Sequence, residues 1–146
     1  MKKRILIVDD EVKFTRLVKS YLEQTNLYEV REEHRGLDAL QTAQAFQPDL
    51  ILLDVLIPDQ DGTQVAAQLK AHKQLKRIPI IFLTVVVSQE EVEALNGVIG
   101  GYPFLAKPLK LEGLMESVER YLGAPPSRAD QRVRPTRRPP DTRRAR

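Results

Sequence analysis

Three short, almost unbroken apolar runs do most to limit the folds open to this chain: RILIV (Arg4 to Val8), DLILL (Asp49 to Leu53) and PIIFL (Pro79 to Leu83). Each is too short for an ordinary helix and lacks the polar alternation of a strand with one wet face. Such runs suit strands buried on both sides, which occur in parallel sheets covered by helices. Two weaker strand patterns, YEVRE (Tyr28 to Glu32) and YPFLA (Tyr102 to Ala106), bring the count to five. Between the strands the period changes. Phe14, Leu17, Val18, Tyr21 and Leu22 recur at i, i+3, i+4, i+7 and i+8, and Leu111, Leu114, Met115, Val118 and Leu122 make a similar stripe, each predicting an amphipathic helix. Shorter helices are predicted over Gly36 to Phe46, Thr63 to Lys73 and Ser88 to Gly97. The alternation predicts an α/β domain over residues 1–122, a doubly wound (βα)5 parallel sheet of five strands. Pro103 has no N–H to give a neighbouring strand, so the last strand is expected at the sheet edge.

The net charge of +3 hides a division along the chain. Residues 123–146 hold eight Arg, two Asp and five of the ten Pro, a net +6, which leaves 15 basic and 18 acidic residues, or −3, on the first 122. Val133 is the only large apolar residue in that tail, so it cannot bury enough surface to offset its ordering entropy and is expected to be disordered. Generic electrostatic docking on an acidic surface, or no fixed role, is favoured for its arginines over nucleic-acid contact, since no aromatic residue is present to stack on bases. Cysteine is absent, which excludes disulfides and thiolate metal sites. The apolar runs are too short to span a bilayer, and MKKRILIVDD meets two aspartates too early for a signal peptide. A cytoplasmic protein without membrane contact is expected.

In doubly wound sheets the functional crevice lies outside the carboxyl ends of the strands, where strand order reverses. Asp9, Asp10 and Glu11 follow the first predicted strand, Asp54 the third, Thr84 the fourth, and Lys107 with Pro108 the fifth. If the first and third strands are neighbours, three aspartates converge and repel one another unless a cation sits among them. Mg²⁺ suits such an all-oxygen site, and Lys107 adds a second positive charge. A crevice of this kind can neutralise a phosphoryl group while a carboxylate acts as nucleophile, and Thr84 could donate to a phosphoryl oxygen. Each residue also has a plainer reading. Asp9 or Asp10 could cap the helix starting near Glu11. Asp54 could open the IPDQDG turn, although Asp59, Asp61 and Gly62 already suit that purpose. Thr84 could be an ordinary strand residue and Lys107 a solvated charge. Gly100 and Gly101 read as turn glycines, and His34 and His72 as surface residues.

The segments ILIVDDE, LILLDVLIPDQDG, FLT and FLAKP, in this order, make Met1 to Leu122 resemble the receiver domain of two-component response regulators. That resemblance implies a flavodoxin-like fold with strand order 2-1-3-4-5. It implies that Asp54 accepts a phosphoryl group from a histidine kinase or histidine phosphotransfer protein. Asp10, Asp54 and the backbone carbonyl of Leu56 would bind Mg²⁺, with Asp9 helping through water. Thr84 and Lys107 would contact the phosphoryl group, Phe104 would be the aromatic that swings inward, and the Lys107–Pro108 bond would be cis. The output face would be the fourth helix, fifth strand and fifth helix, here Ser88 to Leu122. The expected role is a single-domain switch that binds an unknown protein target, rather than an enzyme with turnover.

The chain departs from the common receiver pattern in one direction. The residue after Thr84 is usually small and is Val85 here, followed by Val86 and Val87; Leu56 lies two residues after Asp54; and Phe104 stands where many receivers have tyrosine. These apolar groups offer nothing to orient a hydrolytic water, so slow loss of the phosphoryl group is expected. They also give some weight to the alternative of an interaction module that works without phosphorylation. A metal-dependent aspartate phosphatase would carry a second acid at the position of Leu56.

Overall fold

The computed structural model describes residues 2–85 and 102–123. Five parallel strands, β1 (Lys3–Val8), β2 (Tyr28–Glu33), β3 (Leu50–Asp54), β4 (Ile80–Val85) and β5 (Phe104–Lys107), form one sheet in the order β2-β1-β3-β4-β5. The helices among the described residues are α1 (Val12–Glu23), α2 (Ala39–Phe46), α3 (Gly62–Ala71) and α4 (Leu111–Leu122). This is the expected flavodoxin-like arrangement.

Strand alternation divides the core in two. Leu6, Val8, Ile51, Leu53, Ile80 and Phe82 point to one face, where α2 and α3 contribute Ala43, Phe46, Val65 and Leu69. Ile5, Ile7, Leu50, Leu52, Ile81 and Leu83 point to the other, against Val18 and Leu22 of α1 and Leu114 and Val118 of α4. Every residue of β3 is buried, which is why its sequence shows no polar alternation. Each such Leu or Ile contributes about 1.5–3 kcal/mol by leaving water. β5 lies at the sheet edge, as Pro103 predicts, and Pro103 still accepts a hydrogen bond from the Phe82 N–H at 2.9 Å.

Several boundaries differ from the sequence expectation. β4 runs on through Thr84 to Val85, and β5 begins at Phe104 and ends at Lys107, so Asp54, Thr84 and Lys107 stand within the strand tips rather than in the loops beyond them. The ladder keeps them there: the Val55 N–H donates to the Leu83 carbonyl, and Val85 is in register with Lys107. The predicted helix over Gly36 to Phe46 opens as a 3₁₀ turn at Gly36–Asp38, because Asp59 accepts from the N–H groups of both Gly36 and Leu37 at 2.9 Å. In α1 the buried face is Thr15, Val18 and Leu22, and Leu17 is exposed. On this face Val18 and Leu22 join the core, and the buried Thr15 hydroxyl meets Glu32 of β2 and His34. α3 is capped by Asp61, which accepts from the Thr63 N–H at 2.8 Å, and ends at Ala71 rather than Lys73. The predicted helix Ser88 to Gly97, the turn glycines Gly100 and Gly101, Val86, Val87 and residues 124–146 lie outside the described residues.

Candidate functional site

The strand order reverses between β1 and β3, whose register pairs Val8 with Leu53, and the next residue of each strand path is an acid. Asp9 is fully buried, Asp54 is buried, and Asp10 is exposed at the mouth. One carboxylate oxygen from each lies within 4.8 Å of the others. The helix-cap reading fails for Asp9 and Asp10: the N-cap of α1 is Glu11, and no side chain caps it. Asp9 Oδ1 instead accepts from the Glu11 N–H at 3.0 Å, which leaves its second oxygen facing the crevice. The turn after β3 does not depend on Asp54 either. Gly62 donates to the Val55 carbonyl at 2.8 Å, while Asp54 Oδ1 receives a long 3.3 Å bond from the Leu56 N–H.

Lys107 reaches this cluster from β5. Its Nζ donates to Asp9 Oδ2 at 2.7 Å and to Glu11 Oε1 at 3.0 Å, and stands 3.8 Å from Asp54 Oδ2. It also lies 4.7 Å from the centre of the Phe14 ring, a cation–π distance. The plain reading of Lys107 as a solvated charge is therefore wrong. Burial and the neighbouring Asp9 carboxylate push the Asp54 carboxyl up to about 6 against the pull of Lys107. Burial works against the Lys107 ammonium, but its hydrogen bonds to Asp9 and Glu11 prevail and hold its pKa above the ordinary value.

Thr84 is buried one step beyond Leu83, the register partner of Asp54. Phe104 pairs with Phe82 and packs half-buried against the α2–α3 side of the core, beside Tyr102, whose ring meets Phe82 edge-on at 5.3 Å. The Lys107–Pro108 bond is cis. The Leu56 side chain is 71% exposed and Val85 59%. Val85, Phe14, Leu17, Leu109 and Leu111 line a groove of about 420 Å³ that Lys107 and Glu11 border.

Two contacts escape a reading of the sequence. Glu11 is visible beside the aspartate pair, yet nothing local reveals that it meets Lys107, and Phe14 reads as one member of an apolar stripe. The histidines are engaged rather than free: His34 Nε2 lies 3.0 Å from Thr15 Oγ1, and His72 Nδ1 accepts from the Gln74 N–H at 3.2 Å.

The sequence profile of the response regulator receiver domain matches residues 5–119. The chain belongs to this family. It is 32% identical over 124 residues to the polar-differentiation response regulator DivK of Brucella ovis, an alignment covering 84% of this chain and 98% of DivK. The structure is similar to the chemotaxis protein CheY4 of Vibrio cholerae, with a TM-score of 0.72 and 30% identity over 83% of this chain and 99% of that one. It is also similar to the receiver domain of a sensor histidine kinase from Pseudomonas aeruginosa PAO1, solved with a magnesium ion in its active-site cleft. That match has a TM-score of 0.73 and 29% identity, covering 85% of this chain and all of the other. In this receiver, three convergent carboxylates, one of them open to solvent, form an all-oxygen donor set of the kind that suits Mg²⁺. Among the described residues no helix is long and apolar enough to cross a membrane.

Proposed function

We propose that this receiver accepts a phosphoryl group on Asp54 from a histidine kinase or histidine phosphotransfer protein and uses it as a switch for binding a protein partner. The observation that carries this reading is the buried Asp54 carboxylate, set within 4.8 Å of Asp9 and Asp10 and faced by the Lys107 ammonium. Asp9, Asp10 and Asp54 would hold Mg²⁺, with the Leu56 carbonyl as a further ligand. The ion would screen the negative charge of the arriving group.

The side chains of the domain supply the rest. Asp54 is the nucleophile, held at the tip of β3 by a ladder on both sides. Lys107 carries positive charge to the phosphoryl oxygens, and the Thr84 hydroxyl donates to one of them. Movement of Thr84 toward the modified Asp54 draws Phe104 inward, and the change reaches the surface through β5 and α4. One phosphoryl group is taken per Asp54, so the protein is a switch and not a turnover enzyme. The receiver domain is read as residues 1–122, a reading supported by the family match ending at residue 119 and by α4 reaching Leu122.

Intact-protein mass spectrometry after incubation with acetyl phosphate and Mg²⁺ tests this reading, with Asp54→Ala beside the wild type. The expected result is a phosphoryl adduct that requires Mg²⁺ and is absent from the variant. The exposed Leu56 and Val85 side chains favour a second reading, an interaction module that works without phosphate. That reading takes over if neither acetyl phosphate nor a phosphorylated kinase modifies the wild type.

A further inference from the structure

Lys107 is not pointed at the residue it is proposed to serve. Its two short contacts go to Asp9 and Glu11, at 2.7 and 3.0 Å, and Asp54 Oδ2 is beyond hydrogen-bond reach at 3.8 Å. The Phe14 ring lies on another side, 4.7 Å away. We infer that Glu11 is a positioning residue that holds the Lys107 ammonium back from Asp54 and thereby sets how fast the domain takes up a phosphoryl group. The inference rests on the reading of Asp54 as phosphoacceptor.

The contacts of Lys107 differ in how easily they give way. Phosphorylation converts the single charge of Asp54 into a phosphoryl group with three strong acceptor oxygens, and Lys107 must move toward them. The Asp9 carboxylate is fully buried, and leaving it without its cation costs far more than releasing an exposed partner. The Glu11 side chain is 61% exposed and is readily solvated when released. Glu11 is therefore the contact that must break. Its backbone N–H bond to Asp9 Oδ1 does not involve the side chain, so substitution leaves that anchor in place. Nor does the side chain cap α1.

The reaction used as the readout is balanced with an acyl phosphate as donor. An Asp54 oxygen attacks phosphorus, the bond from phosphorus to the acyl oxygen breaks, and acetate leaves with the electron pair. The rate of adduct formation with acetyl phosphate and saturating Mg²⁺ should be measured for wild type, Glu11→Gln and Glu11→Asp, each also in the Lys107→Met background. Aspartate keeps the charge but is one methylene too short to hold the ammonium. If Glu11 acts through Lys107, both variants react about threefold to fivefold faster than wild type, the scale of an exposed ion pair, and the gain vanishes with Lys107→Met. The inference is overturned if neither variant is faster, if Glu11→Asp behaves as wild type, or if the gain survives Lys107→Met.

A second measurement does not depend on phosphorylation. The ¹⁵N-edited spectrum of the lysine ammonium groups should contain an exchange-protected Lys107 signal that is weakened in Glu11→Gln. A wild type that forms no adduct with acetyl phosphate or with a phosphorylated kinase refutes the phosphoacceptor reading and the rate effect with it. The ammonium signal then decides the restraint alone: loss in Glu11→Gln supports it and retention overturns it.

Discussion

A Cβ on Gly62 would run into the carbonyl oxygen of Asp54, with the Cα of Val55 only 2.9 Å away. The start of α3 is therefore pressed against the backbone that carries the proposed phosphoacceptor. Gly62 holds that position with a 2.8 Å hydrogen bond from its N–H to the Val55 carbonyl. Neither obstructing atom belongs to a side chain that could swing aside. Gly62→Ala should lower unfolding free energy by about 2 kcal/mol or more, read from urea denaturation, and should slow adduct formation on Asp54.

The raised pKa of Asp54 makes stability depend on pH. Its folded value of about 6 exceeds the ordinary 3.8, so the native state binds this proton more tightly than the unfolded chain does. The stabilisation is complete below the ordinary value and is lost as pH rises through the folded one. At pH 8 the charged Asp54 thus opposes folding, and Asp54→Asn should stabilise the metal-free protein there by about 1–3 kcal/mol, with a much smaller difference at acid pH. Urea melts at the two pH values check this. A ¹³C titration should put the Asp54 carboxyl midpoint near 6 without metal.

Leu56 and Val85 bear on how long a phosphoryl group stays. Both side chains are largely exposed next to the crevice, and neither has a group that could orient an attacking water. A half-life of minutes or more at room temperature is expected, and Leu56→Asn, which adds an amide, should shorten it about threefold or more. Decay of the adduct after removal of donor provides the measurement. Loss within seconds in the wild type would refute the idea.

Thr15 is fully buried, and its hydroxyl lies 2.6 Å from Glu32 Oε1 and 3.0 Å from His34 Nε2. Thr15→Val keeps the shape but takes the hydroxyl from both partners, which keep each other at 3.4 Å, so it should cost about 1 kcal/mol in chemical denaturation. Thr15→Ser retains the hydroxyl and should cost less.

The parts of the fold legible in the sequence were those governed by near neighbours along the chain. β1, β3 and β4 show as apolar runs because both faces of the sheet are covered, and Asp9 and Asp54 could be brought together by supposing β1 and β3 adjacent. Contacts made across long separations were not legible. Asp59 lies 22 residues from the Leu37 N–H it accepts and turns the start of the predicted second helix into a 3₁₀ turn. Glu11 meets Lys107 across 96 residues, and no periodicity marks either for the other. Thr15 was hidden for a different reason. A hydroxyl interrupts the apolar stripe, so the stripe pointed to Leu17 where the buried face in fact runs through Thr15.

Lys107 is carried by the outermost and shortest strand. β5 pairs only with β4, and none of its four residues is fully buried. The carboxylates it neutralises stand at the tips of β1 and β3, deep in the sheet. Peripheral elements open at a smaller free-energy cost than the whole domain. Fraying of β5 would therefore strip the acids of their counter-charge while leaving them in place, and would strengthen their pull on a cation. Any metal affinity of the crevice would then be linked to order at the sheet edge, so that a change tightening or loosening β5 against β4 would tune the crevice from a distance.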